Sequence, residues 1–367
     1  MTTIRQAAGE LLVVGLEGPE LAPLERAWLR LIRPAGIILF RRNISDARQT
    51  RALLAEATNL CAPHSLRCVD LEGGPVDRLR DALAPLPSAQ AVAQAARATG
   101  KKALAREHGE LAARAAGAFG FNVDLAPVLD LGLRESAGVM GARCAAPSAQ
   151  GVIEYAREFL AGLSGHGVAG CGKHFPGLGG GTLDSHHETP RIERPWRKLW
   201  LDDLEPYRAL CRRLPMVMVN HAAYPLTRGK ERPASVSRFW IETILKKRIG
   251  YRGMVFSDDF EMGGILKFLP IEEAVVEAVR AGMDLIEICH SAERVHEAWE
   301  SLIVKAERSA AFRSLLLARA RTAARKRARS IAADAPPALS ARQIEALRAR
   351  IFRFGKKIAA QQEETLQ

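Results

Sequence analysis

Apolar residues in this chain fall into two alternating rhythms. Short runs rich in Val, Ile, Leu and Met occur at 11–16, 36–40, 66–71, 123–128, 168–172, 216–220, 253–257 and 283–288. Between them lie longer Ala-, Leu-, Arg- and Glu-rich stretches, among them 47–60, 89–118, 149–164, 238–248 and 271–281, whose apolar positions recur at three- and four-residue spacing. The short runs predict β-strands and the longer stretches amphipathic helices. Eight strands joined by crossover helices over roughly 300 residues predict an α/β fold, a closed (β/α)8 TIM-type barrel. An open, doubly wound sheet is the alternative. The placement of polar residues favours the barrel. Asp70 and Glu72, Asp130, Lys173 and His174, His221, Asp258 and Asp259, and Glu287 all stand at or just past the C-terminal end of an apolar run. In a barrel those ends converge on one face, where active sites are built. In an open sheet only the loops near the switch point converge.

The rhythm changes after Ala335. Pro336 and Pro337 break the chain, and Ser340 is placed to cap a helix from 341 to about 360. This divides the sequence into a single barrel domain, 1–335, and a basic helical extension, 336–367, docked on the outside of the barrel or left as an appendage. No internal repeat is visible.

Composition narrows the reading. With 367 residues, 48% of them hydrophobic, the chain builds a large core, which excludes disorder as a class. No apolar run is long enough to span a bilayer. The only apolar stretch near the N-terminus, 11–16, is flanked by Glu10 and Glu17 and does not read as a secretory signal, so a cytoplasmic location is expected. Six cysteines include no C-x-x-C pair, and Cys68, Cys171 and Cys289 lie in strand-like runs, so buried free thiols are expected. The net charge of +12 owes much to Arg319, Arg321, Arg325, Lys326, Arg327 and Arg329. That Ala-rich segment reads as a solvated helix face. It carries no nucleic-acid motif, although salt-dependent DNA binding by the basic tail is an alternative.

Three motifs carry chemistry. The densest is Lys173-His174-Phe175-Pro176-Gly177-Leu178-Gly179, followed across a Gly-rich loop by Asp184-Ser185-His186-His187. A strand-end Lys and His suit charge-assisted hydrogen bonds to sugar hydroxyls. An Asp two residues before a His orients the imidazole and raises its basicity, as proton transfer requires. In the second motif, Phe256-Ser257-Asp258-Asp259-Phe260, a strand runs into two adjacent carboxylates. Strand alternation points one at the barrel mouth and leaves the other to backbone donors or a cation. A carboxylate there is placed to attack an anomeric carbon, whereas the structural reading makes it the cap of the next helix. The third motif, Asp70-Leu71-Glu72-Gly73-Gly74 with Val76-Asp77-Arg78, combines a strand-end acid with a tight turn from which Arg78 reaches back.

Together these residues resemble family 3 of the glycoside hydrolases, and within it the bacterial N-acetyl-β-D-glucosaminidases of peptidoglycan recycling. The resemblance runs from about Leu11 to about Ile288, and the K-H-F-P-G-x-G then D-S-H pattern marks the hexosaminidase branch. It implies Asp258 as nucleophile, His186 paired with Asp184 as acid/base, and Asp70, Arg78, Arg143, Lys173 and His174 as sugar-binding positions. The chain departs from the family pattern at Leu178, where relatives usually have His, at Pro75, where they often have Arg, and at Ala142, where they often have Glu.

The expected activity is thus retaining hydrolysis that releases a terminal, non-reducing, β-linked N-acetylglucosamine from a carbohydrate substrate such as a peptidoglycan fragment. No metal or organic cofactor, nucleic acid or membrane partner is expected, and a monomer is. Retaining enzymes usually employ two carboxylates roughly 5–5.5 Å apart. Replacing one by a neutral imidazole adds no negative charge, so phosphate is an alternative acceptor and phosphorolysis an alternative activity. A non-catalytic sugar-binding barrel is a second alternative. A metal-dependent hydrolase using His174, His186, His187, His221 and Asp258 is a third, although the spacing lacks an H-x-H pair or H-E-x-x-H helix.

Overall fold

The computed structural model describes residues 2–181, 189–331 and 337–366. Eight parallel strands close a barrel: β1 (Leu12–Gly15), β2 (Gly36–Ile38), β3 (Leu66–Val69), β4 (Val123–Asp124), β5 (Ala169–Phe175), β6 (Met216–Val219), β7 (Met254–Asp259) and β8 (Leu285–Ile288). Each pairs with its neighbours in sequence, and β1 closes on β8 through Leu12, Val13 and Val14 opposite Ile286, Glu287 and Ile288. All eight apolar runs therefore became barrel strands, and the open-sheet alternative is excluded. Most strands are shorter than their runs because the flanking residues leave the ladder to enter loops. Val69, Val123, Cys171, Met216, Phe256 and Leu285 are buried to the last atom or nearly so.

Helices Ala47–Thr58, Ala149–Ser164 and Ile271–Ala281 lie close to where their periodicity predicts. Asp46 and Ser148 each accept a backbone N–H of the first turn, as N-caps do. The stretch 89–118 divides into Ala89–Thr99 and Ala103–Phe119. Gly100 adopts φ +66 at the break, a left-handed conformation that glycine reaches without steric penalty. The segment Phe239–Arg248 is wound as a π-helix, with wider turns than the α-helix its composition predicts.

The basic helix Ala310–Ser330 departs in part from the expected solvated face: Arg321, Arg325 and Arg329 are exposed, and the other three are not. Arg319 pairs with Glu242 at 2.6 Å, Lys326 with the buried Asp284 at 2.7 Å, and Arg327 donates to the Glu10 carbonyl at 2.9 Å. Arg327 is itself 1% exposed. Part of the positive excess is thus spent on holding the last barrel helix against the strands rather than displayed to solvent.

Helix Ala341–Leu366 lies against Ala89–Thr99 and Ala103–Phe119, burying Leu347, Ile351, Phe354 and Ile358. The Phe354 ring stacks on His108 at 6.0 Å, and Arg348 donates to the Leu83 carbonyl at 2.8 Å. Pro336 and the expected break at 335/336 lie outside the described residues. The six cysteines are free thiols, and all but Cys211 are buried. No helix among the described residues is long and apolar enough to cross a membrane.

Candidate active site

The C-terminal ends of β2, β3, β5, β6, β7 and β8 surround a cavity of about 380 Å³, within the range of small-molecule sites. Asp70, Arg78, Arg143, Lys173, His174 and Asp258 all line it. The structure therefore gathers six of the eight residues singled out from sequence. The other two, Asp184 and His186, lie outside the described residues.

Local structure explains how each side chain arrives. Past β3 the chain folds into a short hairpin, Leu71–Gly73 against Val76–Asp77. Gly73 and Gly74 take φ +80 and +61, and a Cβ on Gly73 would stand 2.1 Å from the Pro87 carbonyl oxygen, so no other residue fits the turn. Asp124 at the end of β4 accepts the Leu71 N–H at 3.0 Å, and Asp77 accepts those of Leu79 and Leu86. The hairpin carries Glu72 and Arg78 back beside Asp70. On β5, both Lys173 and His174 line the cavity, and the peptide bond between them is cis. Asn220 donates to the His174 carbonyl at 2.9 Å, and the Tyr224 hydroxyl donates to that of Gly177 at 2.8 Å, which pins the start of the loop that follows.

These residues form one continuous ionic chain. Arg78 meets Asp70 at 3.3 Å, and the Lys173 ammonium bridges Asp70 at 2.7 Å and Glu72 at 2.6 Å. Arg143 grips Glu72 with two parallel hydrogen bonds of 2.8 Å, the fork geometry that suits guanidinium and carboxylate. Arg143 also reaches His174 Nε2 at 3.3 Å, while His174 Nδ1 lies 2.6 Å from Asp130. A guanidinium only donates, so Nε2 is the acceptor and Nδ1–H donates to Asp130. Asp130 also accepts the backbone N–H groups of His174 and Leu178. Burial opposes ionisation of Asp70 and Glu72, but Lys173, Arg78 and Arg143 outweigh it. They hold Asp70 well below the usual carboxylate range and Glu72 at about 2. Burial also opposes charge on Lys173, and the same two carboxylates overcome it and raise the ammonium above its ordinary value.

The paired aspartates line the same cavity as this chain. Alternation would send one of them away from the mouth, yet both line the cavity. The register between β7 and β8 shifts just there: Phe256 faces Leu285, but Asp259 faces Glu287, so an extra β7 residue is accommodated and simple alternation fails. Asp259 accepts the Glu261 N–H at 3.0 Å, as expected of the partner held by backbone. Neither acid caps the next helix; Met262 occupies that position. Burial, with the Glu261 and Asp258 charges, pushes the Asp259 carboxyl up to about 7. Relative to the ordinary 3.8, the folded chain then holds this proton more tightly than the unfolded chain. Its contribution to stability is fully present below about pH 4 and is lost as pH rises through about 7. Asp259→Asn is therefore expected to flatten the fall in unfolding free energy between pH 4 and pH 7, measured by urea denaturation across that range. An unchanged slope would remove Asp259 as its source.

Glu72, Asp130 and Glu287 complete the constellation without having been singled out for a role, and Asp259 joins it as the backbone-held partner of Asp258. The signal was present, since all three are polar residues at strand ends, but nothing in sequence told which would meet which. Leu178, where the resemblance leads one to expect His, presents an apolar side chain to the cavity, 8% exposed. Among the described residues no group of three or more His, Cys, Asp or Glu side chains is placed to hold a metal ion.

Residues 3–314 match the family model described as the glycosyl hydrolase family 3 N-terminal domain. A protein named beta-hexosaminidase from Alkalilimnicola ehrlichii is 38% identical over 291 residues, covering 77% of this chain and 82% of that relative. One of the same name from Haemophilus influenzae is 34% identical over 293 residues, 79% of this chain and 82% of its own. Among solved structures, a glycoside hydrolase family 3 beta-N-acetylglucosaminidase from a Paenibacillus species superposes with a TM-score of 0.84 at 30% identity, covering 97% of this chain and 69% of that one. NagZ from Neisseria gonorrhoeae in complex with N-trifluoroacetyl-D-glucosamine superposes with a TM-score of 0.72 at 29% identity, covering 86% of this chain and 98% of that one.

Proposed function

The chain belongs to glycosyl hydrolase family 3, and on that footing we propose that it is a retaining β-N-acetylhexosaminidase whose nucleophile is Asp258. It is a glycosidase by family. The substrate reading rests on relatives named beta-hexosaminidase and on structural neighbours named for N-acetylglucosaminidase activity. The observation that supports the proposal is the cavity itself, lined both by Asp258 at the end of β7 and by the Arg78–Asp70–Lys173–Glu72–Arg143–His174 chain.

In the first step the Asp258 carboxylate attacks the anomeric carbon. The glycosidic C–O bond breaks, and the leaving oxygen takes a proton from His186, which Asp184 orients. The product is a glycosyl ester on Asp258 with inverted configuration. In the second step His186 removes a proton from water, which attacks the anomeric carbon from the vacated face and frees the carboxylate, with net retention. Asp70, Arg78, Arg143, Lys173 and His174 hold the sugar. Their mutual ion pairs fix their positions before substrate arrives, so little reorganisation is needed on binding.

The natural substrate we propose is a peptidoglycan fragment with a non-reducing β-linked N-acetylglucosamine, handled by a monomer in the cytoplasm during cell-wall recycling. The 1–335 segment is its catalytic domain and 336–367 its helical extension. Two outcomes test the mechanism. Proton NMR of the first-formed sugar is expected to show the β anomer; an α-anomeric product would rule out a glycosyl-enzyme intermediate. His186→Ala is expected to lower kcat by about 10²–10⁴-fold on substrates with poor leaving groups, and much less on activated nitrophenyl glycosides in the first step. An equal loss on both classes would argue against His186 as the proton donor.

A further inference from the structure

The floor of the cavity carries a carboxyl group that the two-step reaction leaves unused. Glu287 lies on β8, otherwise made of Leu285, Ile286 and Ile288. Its backbone is locked, with the N–H donating to Ser257 Oγ at 2.9 Å and the carbonyl accepting the Phe260 N–H at 2.9 Å. The side chain lines the cavity and is 2% exposed. Its Oε1 is buried and has no hydrogen-bond partner among the described residues. A buried carboxyl with an unsatisfied oxygen is costly, and a position that only needed filling is served better by an apolar side chain of similar volume.

We propose that Glu287 is a specificity-determining residue of this pocket, hydrogen-bonding an oxygen of the sugar held between Asp70 and Asp258. The inference rests on reading the cavity as a site for an N-acetylhexosamine.

The surroundings say what kind of hydrogen bond it makes. The charged groups that act on it, Asp70 past β3, Lys173 on β5, and Asp258 and Asp259 on β7, line the same cavity. Burial, then the charges of Asp259, Asp70 and Asp258, push the Glu287 carboxyl well above its ordinary value, and Lys173 opposes them only in part. A protonated carboxyl donates as well as accepts, whereas an ionised carboxylate such as Asp70 only accepts. The nearby cations are already engaged, Lys173 with Asp70 and Glu72, and Arg143 with Glu72. Glu287 therefore brings to the pocket an unpaired carboxyl oxygen on a group that burial favours in its neutral, donating form.

The test compares wild type with Glu287→Gln and Glu287→Leu. N-acetylglucosamine binding is measured by calorimetry, KM and kcat on nitrophenyl β-N-acetylglucosaminide, and the melting temperature of each protein. Gln keeps a neutral donor and is expected to bind within about threefold of wild type. Leu is expected to weaken binding and raise KM by about tenfold or more, the scale of one lost hydrogen bond in a dry site, while melting at or above the wild-type temperature. A purely structural Glu287 would give the opposite pattern, a lower melting temperature with unchanged affinity, and either of those results overturns the inference. If wild type neither binds nor cleaves the N-acetylated sugar, the hexosaminidase reading fails on its own. The melting temperatures then still decide this inference: a more stable Leu variant shows a carboxyl kept at the expense of stability, and a less stable one refutes it.

Discussion

Lys173→Met is expected to destabilise the fold by about 3–5 kcal/mol, the usual consequence of removing one partner from a buried ion pair. Lys173 is 3% exposed and its ammonium lies within 2.7 Å of both Asp70 and Glu72. Met preserves the length of the stem and removes only the charge. Arg78 and Arg143 remain, but neither spans the two carboxylates. The effect has a pH signature. Asp70 and Glu72 have folded values lowered by these cations, so their contribution is present above their ordinary values of 3.8 and 4.5. It is lost as pH falls through the folded value, about 2 for Glu72. The gap between wild type and Lys173→Met is therefore expected to be widest near neutrality and to narrow below about pH 4. Urea denaturation at pH 7 and pH 3 measures it. A difference under about 1 kcal/mol at pH 7 would mean that the ammonium does not compensate this pair.

Asp258→Ala is expected to lower kcat by roughly 10⁴-fold or more, about 5.5 kcal/mol of transition-state stabilisation. Its hydrogen bond in the fold is slight, from the Asp259 N–H at 3.1 Å, so the variant is expected to fold and to bind sugar. Loss of the Asp258 charge also removes one cause of the raised Asp259 value, which is expected to fall from about 7. The catalytic loss and the altered titration are coupled expectations, because both follow from removing the proposed nucleophile, which is also the neighbour of Asp259.

The barrel was legible because its signal is repeated. Each of eight short apolar runs ends near a polar residue, and one arrangement accounts for all of them. The helix boundary at Gly100 was not visible to periodicity, since Ala-rich spacing continues across it and only the left-handed backbone breaks it. The aspartate pair shows the same limit. Alternation follows from an ideal strand, but the register shift beside Glu287 turns both Asp258 and Asp259 to the cavity.

Within the site, identity was legible and partnership was not. Asp70, Lys173 and His174 are recognisable as strand-end polar residues within two motifs. Yet the Arg143–Glu72 fork joins positions 71 residues apart, and the His174–Asp130 contact joins positions 44 apart. Such pairs form only once the barrel brings together strand ends that lie far apart in sequence. The basic helix was half legible for a related reason: Arg321, Arg325 and Arg329 are exposed as expected, but counting charges on Ala310–Ser330 does not show that Glu242, Asp284 and Glu10 pair with Arg319, Lys326 and Arg327.

The central claim is that this cavity cleaves a β-linked N-acetylhexosamine through Asp258. The most direct test is nitrophenol release from β-N-acetylglucosaminide and β-glucoside substrates, with wild type beside Asp258→Ala and with or without phosphate. The account predicts preferential cleavage of the N-acetylated substrate by wild type and none by Asp258→Ala, with phosphate stimulation identifying phosphate as the acceptor in place of water. Comparable turnover by Asp258→Ala, or a folded wild type that cleaves neither substrate, would contradict it.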